Sequence, residues 1–70
     1  MNSEIIFLVR ESSEGGYEAQ ALGESVYTEA DSLEELRLMV QDAVQCHFDE
    51  QERPKVIRLH FIKEEVLAVA

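Results

Sequence analysis

The sequence has one cysteine, one proline and no tryptophan among its 70 residues. The single cysteine, Cys46, excludes an intramolecular disulfide and the zinc sites that several cysteines build. A chain of this size buries only about 60% of the surface that its unfolded form exposes, so one core is marginally stable. We therefore expect one domain over residues 1–70 that is supplemented by association, as a homodimer or a higher homo-oligomer.

Basic residues are also scarce. The sequence has 6 Lys and Arg and 15 Asp and Glu, which gives a net charge of −9. Nucleic-acid affinity comes largely from Lys and Arg that neutralise phosphates, so direct nucleic-acid binding is not expected. The charge also disfavours anionic lipid and favours a basic protein as the partner. The alternative is that the negative charge only keeps a small protein soluble.

Long apolar runs are absent. The first apolar run, residues 5–9, lies between Glu4 and Arg10. A signal peptide has an apolar run of roughly 7–15 residues behind a basic start, and a transmembrane helix needs about 20. We therefore expect a cytoplasmic protein that does not bind membranes.

Three strand patterns occupy the first part of the chain. Residues 5–9 are continuously apolar and rich in β-branched side chains, which predicts a strand buried on both faces. Gly15 and Gly16 supply the positive φ of a hairpin turn. Residues 17–22 alternate as a second strand, and residues 25–29 have the β-propensity of a third.

A helix is predicted over residues 33–48. Ser32 and Glu35 have the spacing of a capping box, in which each side chain binds a backbone amide at the start of the helix. Leu38 falls in the middle of the polar face, near Glu34 and Asp42. The apolar stripe at helical period consists of Leu33, Leu36, Val40, Ala43, Val44 and His47.

After the helix, residues 55–62 alternate as a strand, with Arg58 and His60 on the side opposite Ile57 and Leu59. Residues 63–65 predict a turn. Residues 66–70 form either a short fifth strand or the end of one long bent strand.

The predicted fold is therefore α+β with the order β-β-β-α-β, a possible fifth strand, and one helix on one face of an antiparallel sheet. One helix covers only one face of a sheet, whereas the first strand is apolar on both. A second copy of the chain is the simplest cover for the other face.

These elements resemble the N-terminal domain of HicB-like antitoxins. The resemblance covers residues 5–48 directly and implies a partial ribonuclease-H-like fold. Typical HicB antitoxins neutralise HicA, a small basic toxin that cleaves mRNA through a double-stranded-RNA-binding-like fold and a catalytic histidine. The residues that carry the resemblance are Glu14-Gly15-Gly16-Tyr17 with Ala19, then Leu22-Gly23, then Thr28-Glu29-Ala30-Asp31-Ser32-Leu33-Glu34-Glu35-Leu36.

The sequence departs from typical HicB proteins in two ways. It has no C-terminal DNA-binding module before Ala70, so operator binding is not expected. The loop after Leu22 lacks the Pro-containing segment that is usual there. The chain is most similar to the solitary, single-domain branch of that family. Two functions stay open: an antitoxin-like module that masks a basic HicA-like toxin, or a stand-alone structural or regulatory subunit without a toxin.

An enzyme is not expected. Two-metal nucleases of ribonuclease-H-like fold need a carboxylate in the middle of the first strand, where this chain has Phe7. Cys46 and His47 are adjacent, and neighbouring helical side chains point about 100° apart, so they cannot chelate one ion comfortably. We expect His47 to be packed and hydrogen-bonded, and Cys46 to be buried or interfacial. No cofactor or metal is expected.

The candidate partner-binding residues follow from charge. Eight Asp and Glu face a single Arg between residues 29 and 52, and Leu38 lies among them. The strand after the helix carries the one cluster of positive charge, for which a solvated face is the alternative. The candidates are Glu34, Glu35, Leu38, Asp42, Arg58 and His60.

Overall fold

The computed structural model describes residues 3–70, which form four strands and one helix. The strands make one sheet in the order β3-β2-β1-β4. The predicted α+β class and the order β-β-β-α-β are confirmed. The elements are β1 (Glu4–Glu11), β2 (Tyr17–Ala21), β3 (Tyr27–Ala30), α1 (Leu33–His47) and β4 (Val56–Phe61).

The sheet is mixed, because β4 runs parallel to β1 while the β1–β2 and β2–β3 pairs are antiparallel. The prediction of an entirely antiparallel sheet was wrong in this respect. Two hairpins leave β3 pointing in the same direction as β1. The 15-residue α1 is about 22 Å long and returns the chain to the end where β1 begins. β4 must therefore start beside the start of β1, with Ile5 opposite Ile57.

The core lies between α1 and one face of the sheet. Alternate residues of β1 point into it, and Phe7 and Val9 are fully buried there. Leu36 of α1 is also fully buried. Since one helix covers one face, Ile6 and Leu8 of β1 are only partly buried within the single chain, and their burial beneath a second copy stays a prediction. The buried apolar set is Ile5, Phe7, Val9, Ala19, Ala21, Val26, Leu36, Val40 and Val44.

The predicted capping box defines the start of α1. The amide of Glu35 donates to the Ser32 hydroxyl at 3.1 Å, and the Glu35 carboxylate accepts from the Asp31 amide at 3.2 Å. These bonds satisfy amides that have no partner within the helix. At the other end, the Arg53 guanidinium donates to the carbonyl of Gln45 at 3.2 Å. Both ends of the helix are thus fixed by side chains.

The β1–β2 hairpin depends on its two glycines. Gly15 and Gly16 have φ values of +94° and +83°, a region that side chains with a Cβ rarely adopt. A Cβ on Gly16 would lie 2.6 Å from the carbonyl oxygen of Ala30, so this glycine also allows a close approach to the end of β3. β3 itself covers residues 27–30 rather than the predicted 25–29.

Residues 62–70 have no regular secondary structure. The predicted turn at residues 63–65 and the predicted fifth strand were therefore wrong, and the prediction of one long strand holds only as far as Phe61. The amide of Ile62 still donates to the carbonyl of Val9 at 2.8 Å. Beyond it the chain leaves the sheet, and the exposed fractions of Val66, Leu67 and Val69 are 87%, 77% and 97%.

Candidate functional site

The first candidate surface is the outer helix face, which we define by Glu34, Leu38, Met39, Asp42 and Cys46. All five side chains are exposed. The exposed fraction of Leu38 is 64%, as its position in the polar face predicted, and that of Met39 is 43%. The two apolar side chains are adjacent and lie between carboxylates one turn away on either side. The face therefore offers an apolar contact surrounded by negative charge.

Sequence reasoning missed Met39. Its position is about 100° from that of Leu38 around the helix axis and outside the buried stripe. An apolar helix residue that lies outside the buried apolar stripe is a candidate for an exposed contact. The sequence alone therefore contained the signal that identifies Met39.

Glu35, another predicted partner-binding residue, has a structural role. Its carboxylate accepts a hydrogen bond from the Asp31 amide at the start of α1. It lies beside the outer helix face and adds to its negative field, but its oxygen is engaged by the cap.

The second candidate surface is the open sheet face, the side of the sheet opposite α1, defined by Ile6, Leu8, Gln20, Arg58 and His60. The strand register places Arg58 beside Ile6, and His60 and Gln20 on either side of Leu8. The predicted residues therefore form two groups on opposite sides of the molecule. Arg58 and His60 cannot act together with Leu38 on one small partner surface.

Arg58 is paired within the sheet. Its Nε and Nη2 donate to the two carboxylate oxygens of Glu4 at 2.8 and 3.1 Å. These hydrogen bonds lower the pKa of Glu4 and raise that of Arg58. The strand register places Arg58 beside Ile6, which is partly buried. Arg58 is thus engaged by Glu4 on the open sheet face.

Tyr27 lies at the β3 edge of the open sheet face. Its hydroxyl is 3.1 Å from a carboxylate oxygen of Glu29 and 3.4 Å from one of Glu18. Desolvation and these two carboxylates raise the pKa of Tyr27. The hydroxyl therefore stays protonated and donates to the carboxylates, which makes this edge polar.

Cys46 and His47 do not form a shared site. Cys46 is exposed, so the prediction that it is buried was wrong, and its place on the outer helix face leaves an interfacial role open. His47 is hydrogen-bonded as predicted, with its Nε2 3.2 Å from Glu24 Oε1, and its ring meets that of Phe48 edge-on. The hydrogen bond joins the end of α1 to the β2–β3 loop. His47 is exposed, so the prediction that it is packed was wrong.

Within residues 3–70, no group of three or more His, Cys, Asp or Glu side chains is arranged to hold a metal ion. The one helix in the same part of the chain is too short and too polar to cross a bilayer.

Among residues 3–70, two of the grooves on the surface are notable. The larger, of about 610 Å³, lies between the β2–β3 loop and residues 48–55 and is bordered by Glu24, Glu52, Arg53 and Lys55. The smaller, of about 270 Å³, lies between α1 and β4. Its lining consists of Arg37, Val40, Gln41, Lys55, Ile57 and Leu59. The charged residues that line the smaller groove, Arg37 and Lys55, are both cations.

The fold and composition define a small acidic α+β domain. The chain is 62% identical over 52 residues to a UPF0150 protein of Archaeoglobus fulgidus, covering 74% of this chain and 77% of that protein. It is 44% identical over 66 residues to a UPF0150 protein of Thermotoga maritima, covering 94% and 93%. The chain therefore belongs to the UPF0150 family. No family model and no solved structure matches it.

Proposed function

We propose that this chain is a protein-binding module of the HicB-like antitoxin type, which masks a small, basic, HicA-like mRNA-cleaving toxin. The observation that carries the proposal is the outer helix face. There Leu38 is 64% exposed beside Met39 and lies between the carboxylates of Glu34 and Asp42. A large exposed apolar side chain flanked by like charges is suited to a partner with an apolar pocket in a basic surface.

The two parts of this face have different effects on binding. The carboxylates and the net charge of −9 attract a basic partner over a distance and raise the association rate. Leu38 and Met39 act only in contact, where burial of apolar surface slows dissociation. A toxin that binds RNA needs a basic surface, and the acidic helix face would compete with the phosphates for that surface.

The proposal includes no catalytic step and no cofactor, and it places the protein in the cytoplasm, where an mRNA-cleaving toxin acts. In this hypothesis the module acts by covering the RNA-binding surface of its partner. Its residues therefore need to bind the partner and need not take part in a chemical reaction.

The alternative is a stand-alone structural or regulatory subunit of the same fold with no toxin partner. Two predicted partner-binding residues favour this alternative. Arg58 is hydrogen-bonded to Glu4 and Glu35 to the Asp31 amide, so both are engaged within the fold. The neighbouring gene distinguishes the antitoxin hypothesis from the subunit hypothesis. A gene for a small basic protein beside this one supports the antitoxin, and its absence supports the subunit.

The test is titration calorimetry of the purified chain with that basic protein. We expect saturable binding that Leu38→Asp weakens strongly, while Leu22→Asp, a matched change at an exposed leucine in the β2–β3 loop, leaves it unchanged. Equal loss in both variants, or no binding by the wild-type chain, would remove the outer helix face from the binding site.

A further inference from the structure

We propose that residues 66–70 of one copy dock beside β4 of a second copy, so that the chain forms a segment-exchanged homodimer. The segment consists of Val66, Leu67, Ala68, Val69 and Ala70 and carries no charged side chain. Its large side chains are among the most exposed apolar groups in the described chain, at 77–97%. An apolar segment of this kind is a binding element whose partner surface lies elsewhere.

The matching surface is at β4. This strand is at the edge of the sheet, so among the described residues its outer edge has no strand beside it. α1 packs mainly against β3 and β2, which leaves the core-side groove next to Ile57 and Leu59 open. A strand added at the edge of β4 would close that groove. Side chains alternate along a strand, so Leu67 and Val69 would share one face, which the inference places on the core side.

The segment is poorly suited to fold back on its own β4. A tight hairpin needs residues that adopt positive φ, usually Gly, Asn or Asp. Residues 62–70 contain none of these, and the connection consists of Lys63, Glu64 and Glu65. The connection has no turn, and residues 66–70 are exposed and belong to no strand. A connection without a turn leaves the segment able to reach another copy, as in an exchanged element.

Charge also favours this contact over others between two copies. Each chain carries a net charge of −9, so most surfaces of two copies repel each other. An uncharged segment that enters a groove bordered by Arg37 and Lys55 avoids this repulsion. The open sheet face is a weaker candidate, because Arg58, His60 and Gln20 already flank its two central apolar residues.

The first test is light scattering of the full chain over a concentration series. We expect twice the 8.0 kDa chain mass. Leu67→Asp is expected to raise the dimer dissociation constant roughly a hundredfold or more, because it removes an apolar contact at both symmetric sites. Leu67 is exposed within the single chain, so the variant keeps its fold, which circular dichroism checks. Leu22→Asp, at an exposed leucine in the β2–β3 loop, is the matched control and is expected to stay dimeric.

A second variant tests the exchange itself. Glu64→Asn combined with Glu65→Gly supplies the residues of a tight turn, so each segment can pair with its own β4. We expect this variant to be a monomer whose amides in residues 66–70 are protected from hydrogen exchange. A wild-type chain that stays monomeric at all concentrations would overturn the inference. So would a dimer that persists in Leu67→Asp, since the open sheet face would then hold the two copies together.

Discussion

Arg58 binds both carboxylate oxygens of Glu4, at 2.8 and 3.1 Å, although 54 residues separate the two in sequence. The pair joins the first strand to the last on the open sheet face. Because the guanidinium lowers the pKa of Glu4, the charged carboxylate stabilises the fold. A group whose pKa is lowered on folding contributes stability above its ordinary pKa, and that stability is lost as the pH falls through the lowered value.

We expect Glu4→Gln to destabilise the chain near neutral pH, by a small amount because the pair is exposed. The difference from the wild-type chain is expected to shrink as the pH falls below 4.5, the ordinary value for a glutamate. Urea unfolding at several pH values measures this. Glu14→Gln, in the exposed β1–β2 turn, is the matched control. A difference that grows on acidification would mean that the Glu4 carboxylate does not stabilise the sheet.

The cap of α1 is tested by Ser32→Ala, which removes the acceptor for the Glu35 amide. We expect a loss of about 1 kcal/mol in the free energy of unfolding. Ser25→Ala changes an exposed serine in the β2–β3 loop and is expected to have little effect. Equal urea midpoints for Ser32→Ala and the wild-type chain would show that the hydroxyl does not hold the start of the helix.

The two hairpin glycines give a matched pair. Gly15→Ala places a Cβ in open space at φ +94°, so we expect the cost of the left-handed conformation alone, about 1–2 kcal/mol. Gly16→Ala adds a clash, because its Cβ would lie 2.6 Å from the carbonyl oxygen of Ala30. Thermal unfolding is expected to show a clearly larger loss for Gly16→Ala. Equal losses would mean that the end of β3 moves away at little cost.

Much of the fold could be predicted from the sequence, because the local signals agree with the packing. Ser32 and Glu35 fix where α1 starts, and its apolar period places Leu36, Val40 and Val44 in the core. The direction of β4 was also deducible. Two hairpins and one returning helix leave β4 parallel to β1, which the alternation of its side chains does not reveal.

The remaining differences from the sequence predictions have physical causes. Ile6 and Leu8 lie on the face that the single helix leaves open, so one chain buries them only partly and their full burial would need a second copy. Residues 66–70 have strand composition, yet no turn residue precedes them and no strand forms. The predicted partner-binding residues also lie on two separate surfaces. Periodicity assigns Leu38 and Arg58 to exposed faces, but only the topology shows that α1 and the open sheet face are on opposite sides.

The kinetic prediction concerns the outer helix face. If the partner is basic, we expect its association rate with this chain to fall as salt screens the carboxylates near Glu34 and Asp42. Leu38→Ala is expected to raise the dissociation rate about tenfold with little change in the association rate. Leu22→Ala is the control. Stopped-flow binding measures both rates, and a salt-independent association rate would leave the acidity as a feature of solubility only.

The central claim, that this chain masks a basic mRNA-cleaving toxin, is tested most directly by an mRNA-cleavage assay. Where a small basic protein of the HicA type is encoded beside this chain, the assay measures its mRNA cleavage with and without this chain. We expect the wild-type chain to suppress cleavage at equimolar amounts and Leu38→Asp to require a large excess. Cleavage that continues unchanged in a saturating amount of the wild-type chain would contradict the claim.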